Sequence, residues 1–404
     1  MGRIKTTTTT TKSITPPPPP PPRTTGGLPP PPPPSTGVPK PPDVFVSGTR
    51  TNTLRAPNLT TPPPPPSLGG HTSPPPPPSL GGPKPTVTGG AKAPATVTPT
   101  VTPVPVGPAV LRDDSVIAPF VAQGVPRGAI KNISDEGFAA LQGLQRSQGD
   151  AGSTDFATLK SEIGPKADLI RAVFAQGGPH VKAGDAERVK LASVFNEGFT
   201  VDNTTVDNYR KQMSVLTEGK FQPYVDMANT HLSQNKADYP KTATSVADIH
   251  KLSDEGKVSI YKYTQEKFKP YNGQVLFPLA KNGAGPTSQA LRNNLDGIAV
   301  TRAALNELPK FTGTVYRGDS KKYYDAYTKD AIITRDAFTS TAKNPGASFE
   351  GDAILEIRTK TGRDIQGASL KPGEEEVLIP PGATFKVLDR DDTGTTLRLT
   401  LEEI

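Results

Sequence analysis

The chain has 404 residues and carries 46 Lys and Arg against 39 Asp and Glu, a formal net charge of +7, with no cysteine and no tryptophan. Lack of cysteine excludes disulfides, thiolate metal sites and a cysteine nucleophile. The four histidines, His71, His180, His231 and His250, have no ligand spacing, so no His-built metal site is expected.

The opening MGRIKTTTTTTKSIT is basic without an apolar segment, so a cleaved secretory signal is not expected. Gly2 and Thr6 fit the M-G-x-x-x-[ST] myristoylation pattern. No apolar run reaches the ~20 residues that span a bilayer, so no transmembrane segment is expected. Residues 1–108 hold 34 of the 48 prolines, one aromatic (Phe45), nine Lys/Arg and one acid (Asp43). This tail, taken as 1–109, has too little apolar surface to offset its ordering entropy and is expected to be disordered. Its net charge of +8 leaves −1 for the remainder, so the basic excess does not argue for a nucleic-acid-binding body. Blocks at Pro16–Pro22, Pro29–Pro34, Pro62–Pro66 and Pro74–Pro78 predict polyproline II rods with Gly-Gly hinges. Pro18-x-x-Pro21-x-Arg23 matches an SH3-type ligand, and such rods also suit WW, profilin-like or EVH1-like grooves. A plain spacer is the competing reading.

From about residue 109 the composition turns globular. Glu136–Gln145, Ala167–Phe174 and Ala186–Phe195 space apolar residues by three and four, and 205–235 continues with Tyr209, Met213, Tyr224 and Leu232. The pattern predicts a small all-helical domain over 110–235 without a chemical motif, suited to partner binding, secretion-chaperone docking or targeting. Residues 236–404 read as α+β. Helices are predicted over Asp248–Tyr263 and Ser288–Leu308. Strands follow at Thr314–Tyr316, Ala337–Thr341, Ala353–Ile357, Val377–Ile379, Thr384–Leu388 and Thr395–Leu401, the last two as a hairpin around Asp389–Gly394. Helices followed by strands, without βαβ alternation, predict an antiparallel-rich sheet.

Three islands in this region have chemical content. Val315-Tyr316-Arg317-Gly318 ends a strand with an arginine able to fork onto a phosphate, and with a glycine that lets backbone approach. Phe338-Thr339-Ser340-Thr341-Ala342 places hydroxyls on a β-branched strand. Glu374-Glu375-Glu376 runs from the turn Lys371-Pro372-Gly373 into Val377-Leu378-Ile379, stopped by Pro380-Pro381-Gly382. Strand alternation predicts Glu374 and Glu376 on one face and Glu375 on the other. Alone, each reads as a surface arginine, ordinary strand composition and a solvated acidic turn.

Their order, Arg, Ser-Thr, then Glu-x-Glu, resembles the arginine-specific mono-ADP-ribosyltransferases of the R-S-E type, in their bacterial toxin and secreted-effector branch. The likeness extends over roughly residues 245–404. Tyr263-Thr264 and Tyr271-Asn272 resemble the family's helical tyrosine region. Ala303 to Leu305, Leu308-Pro309 and Gly313-Thr314-Val315-Tyr316-Arg317-Gly318 resemble its lead-in, and EEEVLIPP is close to its most specific signature. The resemblance implies an ADP-ribosyltransferase fold, with an antiparallel-rich two-sheet β core behind N-terminal helices, and NAD as substrate, without a metal.

It also implies roles. Arg317 grips a phosphate of NAD and Gly318 adjoins it. Ser340 positions Glu376, and Thr341 supports the strand. Glu376 bonds the ribose and stabilises its developing cation. Glu374 orients and deprotonates the acceptor guanidinium, a poor nucleophile while protonated. Phe349 packs on nicotinamide, and Glu375 is dispensable. Two positions depart from the family pattern: Ala342 stands where the third serine would be, and the loop 367–372 lacks an aromatic that some relatives use to recognise their target. The implied activity is arginine ADP-ribosylation of a host protein by a secreted effector acting in the host cytoplasm. An interaction protein with an inactive transferase-like domain, and an NAD glycohydrolase, are the competing readings.

Overall fold

The computed structural model describes residues 104–404. The expected disordered tail up to residue 103, with its polyproline ligands and the Gly2 pattern, lies outside the described residues. The first helices are α1 Asp114–Val121, α2 Arg127–Ile130, α3 Asp135–Arg146, α4 Thr154–Ile163, α5 Lys166–Ala175, α6 Asp185–Val194, α7 Asn203–Ser214 and α8 Gln222–Asp238. A two-residue ladder of β1 Val110–Leu111 with β2 Asn132–Ile133 ties the first turns together. Polar residues start several of these helices by accepting an otherwise unpaired first-turn N–H: Ser134 from Gly137, Ser153 from Phe156 and Asp202 from Thr205.

The helix expected over Asp248–Tyr263 is two helices, α9 Ala243–Ile249 and α10 Asp254–Lys262. The break falls before Ser253, whose hydroxyl accepts from the Gly256 N–H at 3.1 Å and so begins α10. Two π-helical turns, Tyr263–Lys267 and Tyr271–Leu276, flank the short α11 Phe268–Pro270. Then α12, Ser288–Glu307, is capped by Thr287 and ends ahead of Pro309, as its sequence signals predict.

Seven strands follow: β3 Lys310–Asp319, β4 Ile332–Arg335, β5 Thr339–Ala342, β6 Ala353–Asp364, β7 Glu376–Ile379, β8 Ala383–Asp391 and β9 Leu397–Glu403. Their order is β3-β5-β7-β6-β9-β8-β4, with β3 also paired to β6, and every pairing is antiparallel except β6 with β9. The expected separation into two sheets is corrected. β6 pairs with β3 and β9 along its length and then reaches β7 through Arg363 and Asp364, which joins all seven strands into one hydrogen-bonded network. The β8–β9 hairpin forms where alternation predicted it. β4, an edge strand on β8, had no expectation.

Two apolar clusters hold the sheet. Helices from both sides of residue 235 share one of them, in which Ile117, Leu141, Ile170 and Leu191 join Ile260, Ile298, Phe338 and Leu378. The other contains Val315, Leu355, Ile357, Val377, Ile379 and Phe385. Successive residues of β7 therefore face opposite clusters, as a strand buried on both sides requires. Each fully buried side chain of this size contributes roughly 1.5–3 kcal/mol.

Candidate active site

The register of β5 against β7 builds the site. Ser340 lies opposite Leu378 and Ala342 opposite Glu376, so Ser340 and Glu376 are diagonal neighbours on one face. The Ser340 hydroxyl donates to Glu376 Oε1 at 2.6 Å. Glu376 is 7% exposed. Burial pushes its carboxyl up to about 7; Ser340 opposes that shift, nearby Glu374 adds to it, and Arg317 opposes it. Thr341, on the alternate face, donates to the Val377 carbonyl at 2.6 Å and pins the two strands together. Ala342, directly across from Glu376, has no donor to offer it.

Arg317 sits on β3, where its Nη1 donates to the Ser340 carbonyl at 2.9 Å. Its Nε donates to Asp319 Oδ2 at 2.9 Å, and Nη2 lies 2.8 Å from the same oxygen. Among the described residues these contacts occupy three of the five guanidinium N–H groups and leave two without a protein partner. Asp319 was missed by the sequence reading, although residues two apart on a strand share a face. Burial alone would raise its carboxyl; Arg317, the Ser320 N–H and the Tyr324 hydroxyl overcome that and hold it below the usual range. The Tyr324 hydroxyl donates to Asp319 Oδ2 at 2.8 Å.

The glutamate triplet needs a correction. The strand begins only at Glu376, because Pro372–Glu374 forms a 3₁₀ turn and Glu375 adopts φ 47°, a left-handed conformation. Glu374 and Glu376 do line one cleft, but a turn brings them there and not strand alternation. Glu375 points elsewhere and accepts from the Asn344 side chain. Phe349 lines the same cleft beside Tyr316, Arg317, Ser340 and Thr341. Gly318 adjoins it in an unanticipated way: a Cβ there would lie 1.7 Å from the Phe349 carbonyl oxygen, so this glycine admits the 349–351 segment. The structure thus brings Arg317, Ser340, Thr341, Phe349, Glu374 and Glu376 to one cleft, with Gly318 at its edge.

This cleft sets an arginine on β3 beside a half-buried Ser340 on β5 that bonds a buried Glu376 on β7, an arrangement suited to holding an anionic ligand next to a developing positive charge. A family model described as NAD:arginine ADP-ribosyltransferase matches residues 226–404. That region is similar to the NAD:arginine ADP-ribosyltransferases, a family that takes NAD as substrate. Among similar proteins, Mav of Mycobacterium avium (strain 104) is 30% identical over 162 residues, covering 39% of this chain and 18% of Mav. The NAD(+)–protein-arginine ADP-ribosyltransferase Tre1 of Serratia proteamaculans (strain 568) is 29% identical over 156 residues, covering 38% of this chain and 33% of Tre1. The chain spans a third or less of the length of these curated relatives. Among solved structures, the type III effector XopAI from Xanthomonas axonopodis pv. citri aligns at 21% identity and a TM-score of 0.39, covering 54% of this chain and 94% of that one.

Proposed function

We propose that this protein transfers ADP-ribose from NAD to the guanidinium of an arginine on a target protein, as a secreted bacterial effector acting in a host cell. The observation that carries the reading is the 2.6 Å bond from Ser340 to a buried Glu376, in a cleft that Arg317 and Glu374 also line. Arg317 offers two remaining N–H groups to the pyrophosphate, which holds the substrate by a permanent planar cation. Glu376, fixed by Ser340, places a carboxylate where positive charge grows on the ribose as the glycosidic bond to nicotinamide breaks and nicotinamide leaves with the bonding pair. Glu374, 28% exposed in its side chain and set at the cleft mouth, accepts the proton that the guanidinium nitrogen loses as it bonds to the ribose carbon. Phe349 supplies an apolar face for nicotinamide.

In this proposal the helical segment 110–235 serves as the scaffold behind that cleft, and the proline-rich tail binds SH3, WW or profilin-like domains. The test incubates the full chain with labelled NAD and host-cell lysate, beside a Glu376→Ala control. Labelled protein bands are expected with the wild type alone. A folded wild type that labels nothing refutes transfer, and nicotinamide release without labelling assigns the protein to NAD hydrolysis.

A further inference from the structure

The loop between β6 and β7 carries Glu374 at its far end, and its near end is held by side chains from α8, α9 and the turn at Thr264. Asn235, on α8 and 5% exposed, donates through Nδ2 to the carbonyls of Gly367 and Ser369, both at 2.9 Å. His231, one turn earlier, places Nε2 2.9 Å from the same Ser369 carbonyl. Thr264 Oγ1 lies 3.1 Å from the Ala368 carbonyl. Ser245, on α9, accepts from the Gly367 N–H at 3.0 Å and reaches the Asp364 carbonyl at 3.1 Å. A Cβ at Gly367 would come within 2.7 Å of the Val246 nitrogen, so only glycine lets the loop sit this close to α9. Three consecutive loop carbonyls thus end on side chains, where a loop normally turns them to water. Beyond them Leu370 is 47% exposed, the buried Pro372 carbonyl accepts from Gln366 Nε2 at 2.8 Å, and Glu374 lies four residues after Leu370.

Such an arrangement fixes the root of the loop and leaves its tip to meet a ligand. Glu376 has separate support, since Ser340 and the β5–β7 ladder hold it whatever the loop does. We propose that Asn235 is a positioning residue for the acceptor: by holding the 367–369 backbone it sets where Glu374 meets the incoming guanidinium, while NAD cleavage at Glu376 proceeds without it. This rests on the functional reading above and deepens it, because it makes the helical segment a determinant of acceptor use. Asn235 touches no reacting atom and acts only through the loop.

The test uses the full chain and agmatine as acceptor. Nicotinamide release without acceptor and agmatine transfer are measured separately for the wild type, Asn235→Ala and His231→Phe. Asn235→Ala is expected to lower kcat/KM for agmatine about tenfold, the factor expected for a lost, well-aligned hydrogen bond, and to leave NAD hydrolysis within about twofold. His231→Phe keeps an aromatic ring against Tyr261, 5.1 Å away, and removes one bond to the loop. It is expected to shift the transfer-to-hydrolysis ratio the same way by about threefold, half of the tenfold effect on a logarithmic scale, and it decides the matter should Asn235→Ala fail to fold. Equal loss of both reactions, or an unchanged ratio in folded variants of an active enzyme, overturns the positioning role alone. A wild type that performs neither reaction overturns the transferase reading, and this proposal with it.

Discussion

Replacing Glu376 with glutamine is expected to make the protein more stable and inactive, and the size of the gain follows from the site. The Glu376 carboxyl is pushed up to about 7 from 4.5, with burial as the largest cause. Between those two values the folded protein holds a proton that the unfolded chain has released. Stability therefore falls as pH rises through that window, and the loss is complete above pH 7. A gap of that size corresponds to about 3 kcal/mol. Glutamine keeps an oxygen to accept from Ser340 and has no charge to bury. Glu376→Gln should therefore stabilise the full chain by up to about 3 kcal/mol at pH 8, roughly 5 °C in Tm, and by almost nothing near pH 4.5. Urea unfolding of both proteins at several pH values between 5 and 8 measures the difference. Parallel stability curves for the two proteins, or a variant less stable at pH 8, would refute the claim that an ionised carboxylate is held there at a cost. A gain in stability with loss of NAD cleavage is the trade expected of a residue kept for chemistry.

Four further outcomes follow from the same geometry. The logarithm of kcat/KM for NAD should rise with unit slope below about pH 7 and level off above it, as Glu376 ionises; Ala342→Ser, which places a hydroxyl directly across the ladder from Glu376, should move that limb down by about one pH unit. Glu376→Ala should abolish both transfer and hydrolysis, and Glu374→Ala transfer with some hydrolysis retained; nicotinamide release and agmatine labelling measured in parallel decide it, and complete loss of hydrolysis in both contradicts the division of labour. Gly318→Ala drives a Cβ against the Phe349 carbonyl, a backbone atom that cannot swing away, so it should cost about 2 kcal/mol or more in urea unfolding and raise KM for NAD. Glu375→Gly relieves a left-handed backbone worth about 1 kcal/mol and loses the Asn344 contact, so unfolding should show a near-neutral change with activity kept.

The islands around Arg317, Ser340 and Glu376 were legible because each carries its own local backbone signal: a strand end, a β-branched run, a Pro-Gly turn before an apolar triplet. How they meet was not. The diagonal placement of Ser340 against Glu376 depends on a register that only the folded sheet defines, and a shift of one residue would have turned Glu376 toward Val315 and Leu355. The turn at Glu374 and the left-handed Glu375 escaped for a different reason. Three glutamates ahead of Val-Leu-Ile read as a strand by alternation, whereas the Pro372 turn holds the first two out of it. Asp319 was within reach, two residues from Arg317, but an acid beside an arginine has no signal of its own until the partner's role is known.

The deepest omission is Asn235. It lies 132 residues from the carbonyl of Gly367 that it holds, on a helix whose sequence offered only apolar spacing. Motif reading finds residues whose neighbours in sequence explain them. A buried amide that satisfies the backbone of a distant loop is explained only by that loop. The helices that looked chemically empty are therefore where residues governing the acceptor, as distinct from NAD, are to be sought. Asn235, Ser245 and Thr264 reach the β6–β7 loop from three separate stretches of the helical region, and of these only Thr264 lay in a stretch that the sequence singled out, without its link to the loop.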